Sequence, residues 1–183
     1  LGITPDAIQL VEVLDRDMVG VLLHQREYID VVIPRGGAGL IQFVVNNSKI
    51  PVIETGSGVV HGYVDVSADE TMALQVLENA KLSRPSVCNA METILLHEAR
   101  LQDLGPKIVS MLEEKGVAIY GDTQIQSLSS QVKPGTVDNW ATEYNDCIVN
   151  FKVVSSIDDA ITHINTFGTK HSEMIITEDP IEA

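Results

Sequence analysis

The chain has 183 residues, with 12 Lys and Arg against 26 Asp and Glu, and carries a formal charge of −14 at pH 7. That charge repels phosphate backbones and anionic lipid heads, and no Lys/Arg cluster offers a local exception, so nucleic-acid and membrane partners are excluded at the outset. The 44% hydrophobic share supports a sizeable core, and the 4% aromatic share makes that core aliphatic.

In chain order, the first apolar run is AIQLVEV from Ala7, a strand candidate, followed by an amphipathic stretch from Asp15 to Gln25. YIDVVI from Tyr28 leads through Arg35, Gly36, Gly37 and Gly39 into a helical pattern reaching Asn47. IPVIE from Ile50 and VVHGYVDV from Val59 are the next strand candidates. SADE, Ser67 to Glu70, reads as a capping box before a helix over 69–81. TILLHE from Thr93, a helix over 104–114 and VAIYGD from Val117 follow. From Gln124 to Thr142, around KPGT, the pattern predicts a short helix and then an exposed loop. CIVNFKVV from Cys147, a helix over 157–166 and EMIITE from Glu173 complete the series. Short β-branched runs alternating with helices predict an α/β fold with a mostly parallel sheet in helical layers. The chain opens LGITPDAIQL without a basic start or long apolar stretch, and no run approaches bilayer length. Two cysteines are too few for a disulfide scaffold or a thiolate zinc site, so a reducing, cytoplasmic setting is expected. The chain begins at Leu1 without Met and stops after EDPIEA, where Pro180 suits a first helical position, so it reads as a piece.

Cys88, in KLSRPSVCNAMET, follows a proline and precedes a strand, so its thiol can point from a turn into a cleft, with Arg84 able to lower its pKa or hold an anion. The alternative is a buried small hydrophobe. Cys147 opens an apolar run and reads as a core strand residue. IPRGGAGLI places Arg35, Gly36 and Gly37 at a strand-to-helix turn, where backbone amides can approach a phosphate or simply permit a tight turn. IETGSGVVHGY places Glu54, Gly56, Gly58, His61 and Gly62 after a strand end, where α/β folds collect ligands, and Glu54 reads equally as a general base or a helix cap. His24, His61, His97, His163 and His171 show no HxH or HExxH spacing, so no metal is expected.

IPRGGAGLI, PVIETGSGVVHGYVDVSAD, NAKLSRPSVCNAMETILLHE, TEYNDCIVNFKVVSSIDDAI and HINTFGTKHSEMIITED, in this order, resemble the gamma-glutamyl phosphate reductase family of the aldehyde dehydrogenase superfamily. The resemblance covers roughly Leu1 to Asp179 and implies an aldehyde dehydrogenase-like, three-layer αβα fold that is incomplete here. It implies a later half of an NADP-binding domain over 1–65 and most of a catalytic domain over 66–183. The implied reaction is NADPH-dependent reduction of L-glutamyl 5-phosphate to L-glutamate 5-semialdehyde, with Cys88 as nucleophile and Asn89 beside it as an oxyanion donor. Arg84 would meet the substrate phosphate, and His171 either the substrate's amino-acid end or nothing but its own loop. Arg35, Gly36, Gly37 and Glu54 would lie beside NADP(H), and Glu143, in TEY, would hold the nicotinamide ribose, although Asn145 stands where the superfamily has an aromatic. Glu54 lies near the superfamily's hydrolytic base, which a reaction releasing aldehyde needs little. A glutamate 5-kinase partner and a homo-oligomer belong to the same expectation. Other readings are the reductase half of a bifunctional pyrroline-5-carboxylate synthase, or an inactive excised domain.

Overall fold

A strand is stable only beside another strand, because its amides and carbonyls otherwise lack partners, and this separates the predicted runs by whether they find a neighbour. The computed structural model describes residues 2–54 and 56–183, which form two compact units, Leu1–Gly56 and Ser57–Ala183.

In the first unit the run from Ala7 forms no strand, and Ile8, Leu10 and Leu14 are 91%, 86% and 96% exposed. Its alternation has no described partner to pair with. Val32 and Val52, from the next two predicted strands, make a single parallel bridge. Around them stand α1 (Asp17–Leu22) and α2 (Ala38–Asn47), and Leu23, Val44 and Ile50 are the buried apolar residues.

The second unit carries the sheet. Its strands are β1 (Val60–Val64), β2 (Met91–His97), β3 (Ala118–Gly121), the two-residue β4 (Lys133–Pro134), β5 (Ile148–Val154) and β6 (Glu173–Ile176). They lie in the order β4-β3-β5-β2-β1-β6, and every pairing between them is parallel. Parallel neighbours need crossovers, and these supply α3 (Glu70–Leu82), α4 (Gly105–Glu114), α5 (Thr123–Gln126), α6 (Val137–Trp140) and α7 (Ile157–Phe167). On one face Val64, Ile94, Leu96 and Phe151 pack with Leu77 of α3 and Ile108 and Leu112 of α4. On the other, Tyr63, Leu95 and Val154 meet Ala160 of α7. The αβα layering expected from the sequence is therefore present in this unit.

Local chemistry shifts some predicted boundaries. The cap of α3 is Asp69, which accepts from the amide of Met72 at 2.8 Å, while Ser67 of SADE turns to the Asp65 carboxylate. The stretch 124–142 holds α5, β4 and α6 rather than one helix and a loop. Beyond Asp179 the chain makes a single turn and not a helix, with the Asp179 carboxylate accepting from Ile181. Among the described residues no helix is long and apolar enough to cross a membrane.

Candidate active site

Cys88 lies between α3 and β2, at the N-terminal end of the parallel strands. The chain leaves α3 and makes two consecutive turns, closed by Val87 N–H to Arg84 C=O at 3.3 Å and Ala90 N–H to Val87 C=O at 2.9 Å. Pro85 takes the second position of the first turn, where its fixed φ favours the bend. Cys88 and Asn89 occupy the middle of the second turn, both exposed, and neither amide donates to an acceptor among the described residues. An exposed thiol beside two unengaged amides can attack an electrophilic carbon and stabilise the oxyanion that forms. Arg84 is exposed and forms no ion pair among the described residues.

The lead-in to β1 braces this turn from behind. Gly58 is buried so closely against it that a Cβ there would fall 1.5 Å from the carbonyl oxygen of Cys88. The amide of Gly58 donates to Oε1 of the half-buried Glu143 at 2.8 Å, and that of Val59 donates to Oγ1 of Thr169 at 3.1 Å. These bonds bring the loops before β1, β5 and β6 together on one edge. His171 lies in the last of these loops, exposed, with Nδ1 2.7 Å from the Ser172 hydroxyl. Its surroundings show no bond to the Cys88 turn.

Sequence reasoning passed over the ion pair beneath this edge. Lys81 Nζ meets Glu92 Oε2 at 2.7 Å with both side chains buried, and Glu92 Oε1 accepts from the amide of Asn145 at 3.2 Å. Burial pushes the Glu92 carboxyl above its ordinary pKa, opposed by the Lys81 ammonium and the Asn145 amide. The signal was available, since Lys81 follows Ala73 and Leu77 at four-residue spacing on the buried face of α3.

His61 lies inside β1, fully buried, rather than on a ligand-facing turn as its glycine neighbours suggested. Its ring meets that of His163 at 5.4 Å, and His163 also contacts the rings of Trp140 and Phe167. Burial and the nearby Lys152 ammonium lower the pKa of His163 to about 3, so its ring is neutral and its Nδ1 accepts from Lys152 Nζ at 3.2 Å. Cys147 is half-buried just before β5, outside the strand and the core.

In the first unit, Arg35 and Gly36 precede α2, Gly37 caps it without a side-chain bond, and Gly36 has φ 153°, a backbone that favours glycine. Glu54 is exposed after the Val52 bridge and accepts no described hydrogen bond.

The parallel sheet in helical layers makes this an α/β protein with an aldehyde dehydrogenase-like fold. The fold superposes on an acetylating aldehyde dehydrogenase from Geobacillus thermoglucosidasius with a TM-score of 0.67 at 18% identity, over 92% of this chain and 45% of that one. The sequence itself is similar to gamma-glutamyl phosphate reductases. It is 51% identical over 178 residues to the gamma-glutamyl phosphate reductase of Lachnospira eligens, covering 97% of this chain and 43% of that relative. The crystal structure of the Thermotoga maritima gamma-glutamyl phosphate reductase matches with a TM-score of 0.90 and 45% identity, over 94% of this chain and 42% of that one. The chain thus spans less than half the length of the relatives it matches. No protein-family model matches it.

Proposed function

We propose that the chain supplies the acyl-transfer machinery of a cytoplasmic NADP-dependent reductase. The enzyme converts L-glutamyl 5-phosphate to L-glutamate 5-semialdehyde and inorganic phosphate, a step of proline biosynthesis. The observation that carries this reading is the exposed Cys88 thiol beside the unengaged amides of Cys88 and Asn89, on a chain whose relatives bear the reductase name. As a thiolate, Cys88 attacks the acyl carbon. A C–S bond forms, the two amides take the oxyanion, and the bond to phosphate breaks with its electron pair leaving on phosphate. The Cys88 thioester then holds the acyl group for reduction, and after reduction the C–S bond breaks to release the aldehyde and regenerate the thiolate. Arg84, with no carboxylate paired to it among the described residues, is available to the substrate phosphate. His171 stands at the rim of the same edge, where it would meet the amino-acid end.

Each unit's donor set fits the cofactor on its own terms. In the first, the uncapped start of α2 with Arg35, Gly36 and Gly37 offers amides and a guanidinium suited to phosphates. In the second, Glu143 gives one oxygen to Gly58 and keeps the other for a ribose hydroxyl. The reduced nicotinamide supplies the two electrons that turn the thioester into an aldehyde. Glu54 has no step to perform, since no water needs activating. The boundary between a nucleotide-binding part, 1–65, and a catalytic part, 66–183, belongs to this proposal, as do homo-oligomer formation and a kinase that supplies the labile acyl phosphate.

The test is Cys88→Ala in the complete reductase that carries these residues, assayed as phosphate-dependent oxidation of the semialdehyde. Activity should fall by about a thousandfold or more while the circular dichroism spectrum is unchanged. Turnover within tenfold of the parent would overturn the assignment.

A further inference from the structure

The Cys88 turn is not held by its own hydrogen bonds alone. Along β1 and β2 the ladder runs Val60 opposite Met91 and then His61 opposite Thr93, so the register steps by one and Glu92 has no partner residue on β1. The ladder to β5 begins only at Thr93, opposite Asn150. Glu92 keeps the face of Ile94 and Leu96, toward α3, while its backbone stands outside the β1 ladder, and such irregularities gather beside active sites. Glu92 is aimed at two places. One oxygen meets the buried Lys81 ammonium at 2.7 Å, and the other accepts from Asn145, whose backbone sits at φ 55°.

Those two contacts close a circuit. Lys81 ends α3 on one side of the Cys88 loop and Glu92 begins β2 on the other, so the ion pair pins both ends of the loop. From Glu92 the path runs to Asn145, two residues along to Glu143, from the Glu143 carboxylate to the amide of Gly58, and from Gly58 to the carbonyl of Cys88 that it packs against. Every link is a hydrogen bond, an ion pair, a backbone contact or a covalent step of a few residues. Burying the two charges is costly for folding, and well-packed apolar residues would serve stability as well or better. A buried pair whose second carboxylate oxygen reaches out to the turn bearing Glu143 has a use that plain core packing would not supply.

The geometry points to Glu92 as a positioning residue, held by Lys81, that sets the Cys88 turn for acyl transfer through the Asn145–Glu143–Gly58 circuit. This rests on Cys88 being the nucleophile. Glu92 touches neither thiol nor substrate; it fixes where the thiol and the Cys88 and Asn89 amides sit. What matters in it is then an acceptor oxygen facing Asn145, more than the charge.

Two double variants of the complete reductase separate this from a purely structural role. Lys81→Met with Glu92→Gln removes both charges and keeps an oxygen for Asn145. Lys81→Met with Glu92→Leu removes both charges and the acceptor. With thermal midpoints measured alongside as a fold check, kcat for semialdehyde oxidation should stay within about threefold of the parent in the Gln double and fall at least tenfold in the Leu double. Equal kcat in the two doubles, at parental or at reduced level, would overturn the positioning role. If the Leu double does not fold, the Gln double alone decides: folded with kcat tenfold down, it refutes the acceptor, and near the parent it supports it. Should Cys88→Ala retain activity, the nucleophile assignment fails; should Cys88→Ala be inactive and the doubles be indistinguishable, only the positioning inference fails.

Discussion

The two ends of the parallel sheet treat their polar groups in opposite ways. At the C-terminal ends of the strands almost every polar side chain is consumed in closing the chain. Asp65, after β1, accepts from the Ser67 amide and hydroxyl and from the Thr177 hydroxyl. Asp122, after β3, takes the first amides of α5 and also the amide of Val153, and Ser156, after β5, caps α7. Arg100, after β2, donates to the carbonyls of Val66 and Ala68. At the N-terminal ends Cys88, Arg84 and His171 are exposed, and the amides of Cys88 and Asn89 are unspent. The general expectation for open α/β sheets puts ligands at the C-terminal ends. Here that edge is closed by its own hydrogen bonds, and the exposed Cys88 thiol and the unengaged amides lie on the opposite one.

That contrast can be broken or sharpened by substitution. The largest effect is expected at Gly58, on the reactive edge. An added methyl would meet the backbone oxygen of Cys88 at 1.5 Å, and backbone cannot yield by changing rotamer. Gly58→Ala should cost about 4 kcal/mol or more by urea unfolding, or leave no folded protein. A loss under about 1 kcal/mol would mean that the lead-in to β1 does not brace the Cys88 turn.

At the capped edge the expected effect is smaller and depends on pH. Burial tends to raise the pKa of Asp65, but the bonds from Ser67 and Thr177 outweigh it and lower the value to about 2. The folded state therefore binds a proton less readily than the unfolded chain, whose aspartate titrates near pH ~4. The stabilisation is fully present above that value and disappears as pH falls through about 2. Asp65→Asn should cost about 2 kcal/mol at neutral pH, and the gap between parent and variant should narrow steadily below pH ~4. A gap that does not vary with pH would remove this carboxylate from the account of the edge. The smallest effect is expected on the helical surface, away from both edges. Lys107 and Glu70 pair at 2.6 Å in solvent, and Lys107→Ala should change stability by less than about 0.5 kcal/mol. A larger loss by the same urea measurement would show that solvent does not screen this pair.

Much of this was legible in the residues. The five long strands of the sheet follow β-branched runs, and α3, α4 and α7 follow apolar periodicity, because each buries one stripe or both faces and the pattern records it. The Cys88 turn was marked by Pro85 and by the strand that follows. What stayed hidden was whatever depends on a distant partner. AIQLVEV has the composition of a strand and no described neighbour, so pattern alone misassigned it. Ser67 looked like a cap until Asp65 and Thr177 supplied better partners. The partner of Glu92 depends on how α3 packs against β2, and that packing is a property of two segments that neither one reveals.

The β1–β6 pairing has a kinetic side. The bond from the lead-in of β1 to the loop before β6, Val59 to Thr169, and the bond from His61 of β1 to Glu173 of β6 join residues 110 and 112 apart in sequence. Contacts of such separation close a long loop before they return any stabilisation, so they form late and slowly. The core of β1, β2, β3 and β5 with α3 and α4 can condense first from shorter-range contacts. On that ordering the lead-in to β1 reaches the Cys88 turn early, and its tie to the loop before β6 forms only when the last strand docks.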